Sequence, residues 1–239
     1  MQHTEDCHSA GLIITEGTSP SPHDLGYPRM PGLFNDTQAR DWKTVTGAVH
    51  AKGSKIFVQL MHTGRVTHVT NLPAGAEVPG PMADACPGKL YTDAHGMQPH
   101  SPPRAMTTAD IAHTVQEYAT STKLAIDAGF DGVELHAANG YLIERFLNPN
   151  VNQRGDGDGG SIEGRNRFAL EAARATVDAI GADRVGIRLS PHGVFNGTGT
   201  YPDVDAQYST GPSHCRRLAC NTSACWTIRR WVHRRYLPT

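Results

Sequence analysis

Hydrophobic and polar positions change period several times along the chain. Residues 10–15 (AGLIIT) form a short apolar run followed by turn residues, which reads as a buried strand. Residues 19–33 are rich in Pro and Gly and read as loop. Trp42, Val45 and Val49 then recur at helical spacing. They predict a helix over 36–52, with Asn35 or Asp36 as N-cap and Gly53 past its end. Lys55–Leu60 (KIFVQL) is a second strand. Residues 61–103 are long, irregular and thick with Pro and Gly. A loop of that length inside a compact domain is usually functional, so a lid or small excursion carrying some β-hairpin is expected. Residues 107–128 form a helix: Thr107 and Asp110 resemble a capping box, Ile111, Val115, Tyr118, Leu124 and Ala125 give a core face, and Gly129 stops it. A strand over 132–135, a helix from Ser161 to about Ile180 with Gly181 beyond, and a strand over 184–189 (RVGIRL) complete the pattern.

The order β-α-β-(long loop)-α-β-(loop)-α-β, with mostly apolar strands, specifies an α/β fold whose parallel sheet is buried on both faces. Polar residues fall at the C-terminal ends of the strands: Thr15, Gln59, His136 and Arg188. In parallel α/β folds that edge holds the active site.

Length and charge narrow this picture. A closed (β/α)₈ barrel takes about 250 residues, often more, so any barrel built from these 239 residues is expected to be short of its full complement. No apolar run approaches the roughly 20 residues of a membrane span. The N-terminus lacks a basic start followed by an apolar stretch, so no secretory signal is read and a cytoplasmic location is the default. The formal net charge of −1 conceals an asymmetry: residues 209–239 hold six arginines and no acid. They also hold three of the five cysteines and two of the three tryptophans, so a boundary is expected near 208. The spacing of Cys215, Cys220 and Cys225 matches no C-x2-C pair, so no zinc site is expected there. The basic tail lacks any readable nucleic-acid module.

The chemistry concentrates in 131–154, DGVELHAANGYLIERFLNPNVNQR. His136 and Asn139 can together grip a carbonyl or nitro oxygen, and Tyr141 can deliver a proton beside them. A strand end with its own hydrogen bonds is the plainer alternative. Gln59 suits the imide edge of a heterocycle, or ties down a loop. Arg188 ends a strand otherwise apolar, and a buried guanidinium there calls for an anionic or strongly polar partner, either a structural acid or a cofactor that gains negative charge. Gly17 allows close backbone approach to a flat ligand, or simply turns the chain. His62, with Glu134 and His136, offers a metal site and hence a metal-dependent barrel hydrolase as an alternative. No GxGxxG or P-loop occurs.

Six stretches together resemble the old yellow enzyme family of FMN-dependent ene-reductases. They are GLIITEGT (11–18), GYPRMPGLFNDTQARDWKTV (26–45), VQLMHTGR (58–65), ELHAANGYLIERFLNPNVNQR (134–154), GGSIEGRNRF (159–168) and RVGIRLSPHGVFN (184–196). They stand in family order over about residues 10–208. The resemblance implies a partial (β/α)₈ TIM barrel with FMN at the C-terminal strand ends and NADPH or NADH as hydride donor. The substrates would be electron-poor alkenes, α,β-unsaturated carbonyl or nitro compounds. It implies that Gln59, Arg188 and Gly17 contact the flavin. His136 and Asn139 would bind the substrate's activating oxygen, Tyr141 would donate the proton, and Tyr27 would line the pocket. Two departures accompany it. The family's first strand has no counterpart here, and the pattern fades near Tyr208, before the strands that carry the phosphate-binding loops. Residues 1–208 are thus expected to form an incomplete FMN-binding domain. Residues 209–239 are expected to be an unstructured basic tail, a frameshifted reading of the family's C-terminal region. A catalytically silent fragment is the remaining alternative.

Overall fold

In a computed structural model, residues 10–217 are described. Strand β1 (Leu12–Thr18) leads through helix α1 (Asp36–His50) to β2 (Lys55–Leu60). An excursion follows, carrying β3 (Pro79–Gly80), β4 (Lys89–Thr92), β5 (Gly96–Pro99) and β6 (Arg104–Ala105). Helix α2 (Thr108–Asp127), strand β7 (Gly132–Ala137), helices α3 (Leu142–Leu147) and α4 (Ile162–Ile180), strand β8 (Val185–Leu189) and helix α5 (Val204–Arg217) complete the order.

The main sheet is parallel throughout and runs β1-β2-β7-β8, each strand lying beside its predecessor. That monotonic order is the winding of a barrel sector; a doubly wound sheet would reverse. Side-chain parity gives the same answer. Ile56, Val58 and Leu60 of β2, Val133, Leu135 and Ala137 of β7, and Ile187 of β8 join one apolar core with residues from α1, α2, α3 and α4. The alternate positions Gln59, Glu134, His136 and Arg188 therefore face the opposite, helix-free side. β7 is buried at all six positions, so its two polar side chains are largely withdrawn from the surface.

Local signals act as expected at most helix starts. Asn35 caps α1 by accepting from the Gln38 N–H. Thr107 and Asp110 form a reciprocal capping box on α2, and Ser161 caps α4 through the Gly164 N–H. β4 and β5 make an antiparallel hairpin within the excursion, while β3 and β6 pair in parallel at its two ends.

Three expectations need correction. β1 starts later than residue 10 and runs past 15, to Thr18, because a bulge between Ile14 and Gly17 lets pairing resume. Thr15 thus lies inside the strand, where its hydroxyl accepts from the Gln59 N–H at 3.0 Å in place of a ladder bond. The segment after Tyr141 is helical, as α3. The boundary expected at 208 falls within α5, so the segment just beyond it is helical. The tail's cysteine and tryptophan side chains lie outside the described residues. Among the described residues, no helix is long and apolar enough to cross a membrane.

Candidate active site

β7 delivers the central group. Register places His136 beside Arg188 and Glu134 beside both Gln59 and Gly186, with Gly17 beside Gln59. Four neighbouring strands therefore present Gly17, Gln59, Glu134, His136 and Arg188 along one edge.

His136 is 3% exposed. Its Nδ1 accepts from the Ala138 N–H at 3.3 Å, which leaves the ring proton on Nε2. Burial, reinforced by the Arg188 charge, pushes its pKa down to about 4. The ring is consequently a neutral hydrogen-bond donor at neutral pH.

Tyr141 is brought to His136 by a tight turn. Its N–H donates to the Ala138 carbonyl at 3.2 Å, and the next N–H, of Leu142, donates to the His62 carbonyl at 3.0 Å. Tyr141 is the N-cap of α3, yet its side chain makes no capping bond. The phenol instead meets the His136 ring edge-on, with centroids 4.9 Å apart and planes at 89°. Its hydroxyl lies 3.0 Å from that of Tyr27. Burial and the Tyr141 contact push the Tyr27 phenol far up, so it stays protonated.

Asn139 occupies the left-handed region at φ 58°, followed by Gly140 at φ 73°. Its backbone is held by neighbours, whereas its side-chain amide makes no hydrogen bond among the described residues. Gln59 is buried, and its Nε2 donates to Glu134 Oε1 at 2.7 Å. Gly17 packs closely on Met61: a Cβ there would sit 2.4 Å from the Met61 methyl and 2.6 Å from its sulfur, so the methionine would have to shift. Arg188 is exposed, contrary to the expectation of a buried guanidinium. Among the described residues β8 has a strand neighbour on one side only. Arg188 makes no hydrogen bond or ion pair among those residues.

His62 belongs elsewhere. Its Nε2 lies 2.6 Å from Asp24 Oδ1, with both side chains essentially inaccessible, and its Nδ1 accepts from the Gly64 N–H at 3.0 Å. Both nitrogens are engaged, and no group of three His, Cys, Asp or Glu side chains among the described residues is arranged to hold a metal. The metal-dependent hydrolase is therefore not supported.

The sequence did not single out Glu144, Ser190 or Asn196. Glu144 accepts from the Gly140 N–H at 2.5 Å and from the Ser190 hydroxyl at 2.7 Å. Asn196, itself at φ 56°, donates its Nδ2 to the Asn139 carbonyl at 2.8 Å. The Asn196 carbonyl in turn accepts from Arg145 Nη2 at 2.8 Å, Arg65 Nη2 at 3.4 Å and the Cys86 thiol at 3.4 Å. Only the excess of Asn and Ser around the strand ends hinted at such a network.

Fold and site together define a sector of a parallel barrel whose ligand edge lies at the C-terminal strand ends. The chain belongs to the NADH:flavin oxidoreductase / NADH oxidase family, whose model matches residues 4–234, a span that runs past the compositional break at 208. It is 46% identical over 202 residues to the flavin oxidoreductase hxnT of Emericella nidulans, covering 82% of this chain and 50% of that protein. It is 43% identical over 185 residues to 12-oxophytodienoate reductase 7 of Oryza sativa subsp. japonica, covering 76% and 46% respectively. Among solved structures, the old yellow enzyme homologue from Zymomonas mobilis superposes with a TM-score of 0.86 at 35% identity, covering 91% of this chain and 60% of that one. Morphinone reductase gives 0.83 at 41% identity, covering 88% and 57%. The chain thus spans about half the length of the curated relatives it matches.

Proposed function

We propose that this chain carries the substrate-binding half of an FMN-dependent ene-reductase. Its substrates would be α,β-unsaturated carbonyl or nitro compounds, reduced at the expense of NADPH or NADH. The observation that carries the reading is the perpendicular contact of His136 and Tyr141 at the C-terminal edge of the sheet, with Tyr27 on the phenol's far side. The family match and the reductases among the relatives support it.

The residues present fit a flavin. A heterocycle edge with both donors and acceptors suits the Gln59 amide, and negative charge gained on reduction suits Arg188, which lies beside His136 on the far side of β7 and has no partner among the described residues. Gly17 and Met61 form the adjoining wall. When bound, FMN would supply the hydride to the substrate's β-carbon.

The protein's own groups do the rest. His136 offers its Nε2–H to the substrate oxygen, and its depressed pKa keeps the ring neutral, a hydrogen-bond donor that carries no charge. Asn139 offers a second N–H from its free amide. Both would stabilise the enolate-like charge that develops as hydride arrives, in the manner of an oxyanion hole. Tyr141 protonates the α-carbon. Tyr27 holds the Tyr141 hydroxyl in place, and Tyr141 regains its proton from solvent.

The test is single-turnover kinetics of the FMN-loaded chain. Tyr141→Phe is expected to slow reduction of 2-cyclohexenone by about 100-fold or more, with reduction of the bound flavin by NADPH unchanged. Equal loss of both half-reactions counts against the role of Tyr141. Failure of the wild-type chain to reduce cyclohexenone at all counts against the function.

A further inference from the structure

We propose that Glu144, acting through Ser190, is a positioning residue that sets the reach of the Asn139 side chain into the substrate site; this rests on the reading of Asn139 as a substrate ligand.

The starting point is conformational. A non-glycine residue rarely adopts positive φ, and Asn139 does so immediately before a second left-handed residue. Such a pair needs outside support, and three side chains give it. Ser190 Oγ accepts the Asn139 N–H at 3.0 Å, Glu144 Oε2 accepts the Gly140 N–H at 2.5 Å, and Asn196 Nδ2 donates to the Asn139 carbonyl at 2.8 Å. The backbone around Asn139 is thus fully engaged while its side-chain amide stays free.

Glu144 is the organising member. It is 2% exposed, and its charge has no cationic partner in the network. Burial pushes its carboxyl up, and the Ser190 and Gly140 hydrogen bonds pull it back. A buried carboxylate is costly unless its oxygens are used, and here both are. The Ser190 hydroxyl proton is committed to Glu144 Oε1. A hydroxyl rotor so oriented turns its lone pairs away from the carboxylate, where the Asn139 N–H meets one of them. Glu144 therefore holds Gly140 directly and Asn139 through Ser190. Ser190 follows β8 directly, two residues after Arg188, so the same contacts tie the position of Asn139 to the strand that carries the guanidinium.

The test compares Ser190→Ala, Glu144→Gln and Asn139→Ala, singly and as Asn139→Ala/Ser190→Ala, in the full FMN-loaded chain. One readout is the Kd for 2-cyclohexenone, taken from the change in flavin absorbance of the oxidised protein. The other, independent of flavin, is amide hydrogen exchange at Asn139 and Gly140 without ligand. Loss of one such bond is expected to raise the Kd about tenfold in Ser190→Ala and in Glu144→Gln, and to speed exchange at the two amides by a similar factor. Asn139→Ala is expected to weaken binding at least as much, and adding Ser190→Ala to it to change nothing further. If Glu144→Gln does not fold, Ser190→Ala carries the comparison alone. If Asn139→Ala weakens binding while Ser190→Ala and Glu144→Gln leave it within twofold, the positioning role is overturned and the function stands. Additive effects in the double variant also overturn it, because Ser190 would then act elsewhere. If Asn139→Ala leaves binding unchanged, the reading of Asn139 falls and the proposal falls with it.

Discussion

Gln59 and Glu134 meet side by side on adjacent strands, the Gln59 Nε2 donating to Glu134 Oε1 across 2.7 Å. A carboxylate only accepts, so the amide nitrogen must face Glu134 and the amide oxygen must face away. Glu134 thereby decides which half of Gln59 is presented to a ligand. Burial pushes the Glu134 carboxyl up, while the Gln59 bond and the Arg188 charge pull it back.

Replacing Glu134 by Leu strands a buried amide and is expected to cost about 1–3 kcal/mol, the penalty of one unsatisfied polar group. Glu134→Gln keeps an acceptor and should cost less. Urea denaturation of both variants measures the difference, and equal losses would show that the pair does not orient Gln59.

His136 makes stability depend on pH. Its folded pKa of about 4 lies below the ordinary 6.5. Between those values the unfolded chain binds the proton more readily, so stability from the neutral ring is complete above 6.5 and drains away as pH falls toward 4. His136→Asn should flatten the fall in Tm between pH 6.5 and 4.5. An unchanged slope would mean that other groups drive the acid loss.

Tyr27→Phe removes the partner 3.0 Å from the Tyr141 hydroxyl. Loss of one hydrogen bond is expected to lower kcat for 2-cyclohexenone by about tenfold, well short of the effect of Tyr141→Phe. Steady-state kinetics of the two variants check the order. A Tyr27→Phe loss as large as that of Tyr141→Phe would make Tyr27 the proton source.

Gly140 and Gly17 should respond unequally to alanine. At Gly140, φ is 73° and a Cβ would lie 2.5 Å from the Phe195 carbonyl oxygen, a backbone atom that cannot swing aside. Gly140→Ala is expected to cost about 2 kcal/mol or more, from strain and clash together. At Gly17 the nearest obstacle is the far end of a flexible methionine. Gly17→Ala should cost about 1 kcal/mol, and Met61→Ala should reduce that cost, leaving only the Met61 Cβ at 3.1 Å. Thermal melts of the single variants and the pair give the ranking.

Much of this was legible beforehand because local rules and the fold agree. The capping box at Thr107 and Asp110, the cap at Ser161 and the apolar stripes of α1 and α2 all lie where their periods put them. The meeting of His136 and Tyr141 could be anticipated because both fall within six residues of one strand end. Helix α3 was hidden because all six of its residues are buried, Glu144 and Arg145 included, so it has no polar face for a period to show. The Glu144–Ser190 and Asn196–Asn139 contacts were hidden because they join residues some 50 positions apart, and the second ends on a backbone carbonyl, which carries no sequence label. Arg188 was misjudged on burial because a strand's exposure depends on its neighbours, not on its own sequence.

The convergence of Arg65, Cys86 and Arg145 on the carbonyl of Asn196 gives the excursion a different character from the lid its length suggested. Arg145 is wholly buried and Arg65 nearly so. Swinging the excursion outward would part the Arg65 guanidinium and the Cys86 thiol from that carbonyl, leaving Arg145 as its remaining donor. The segment is thus tied by Arg65 and Cys86 to the loop that follows β8. Any visitor that needed this segment to move would first have to break both of those ties.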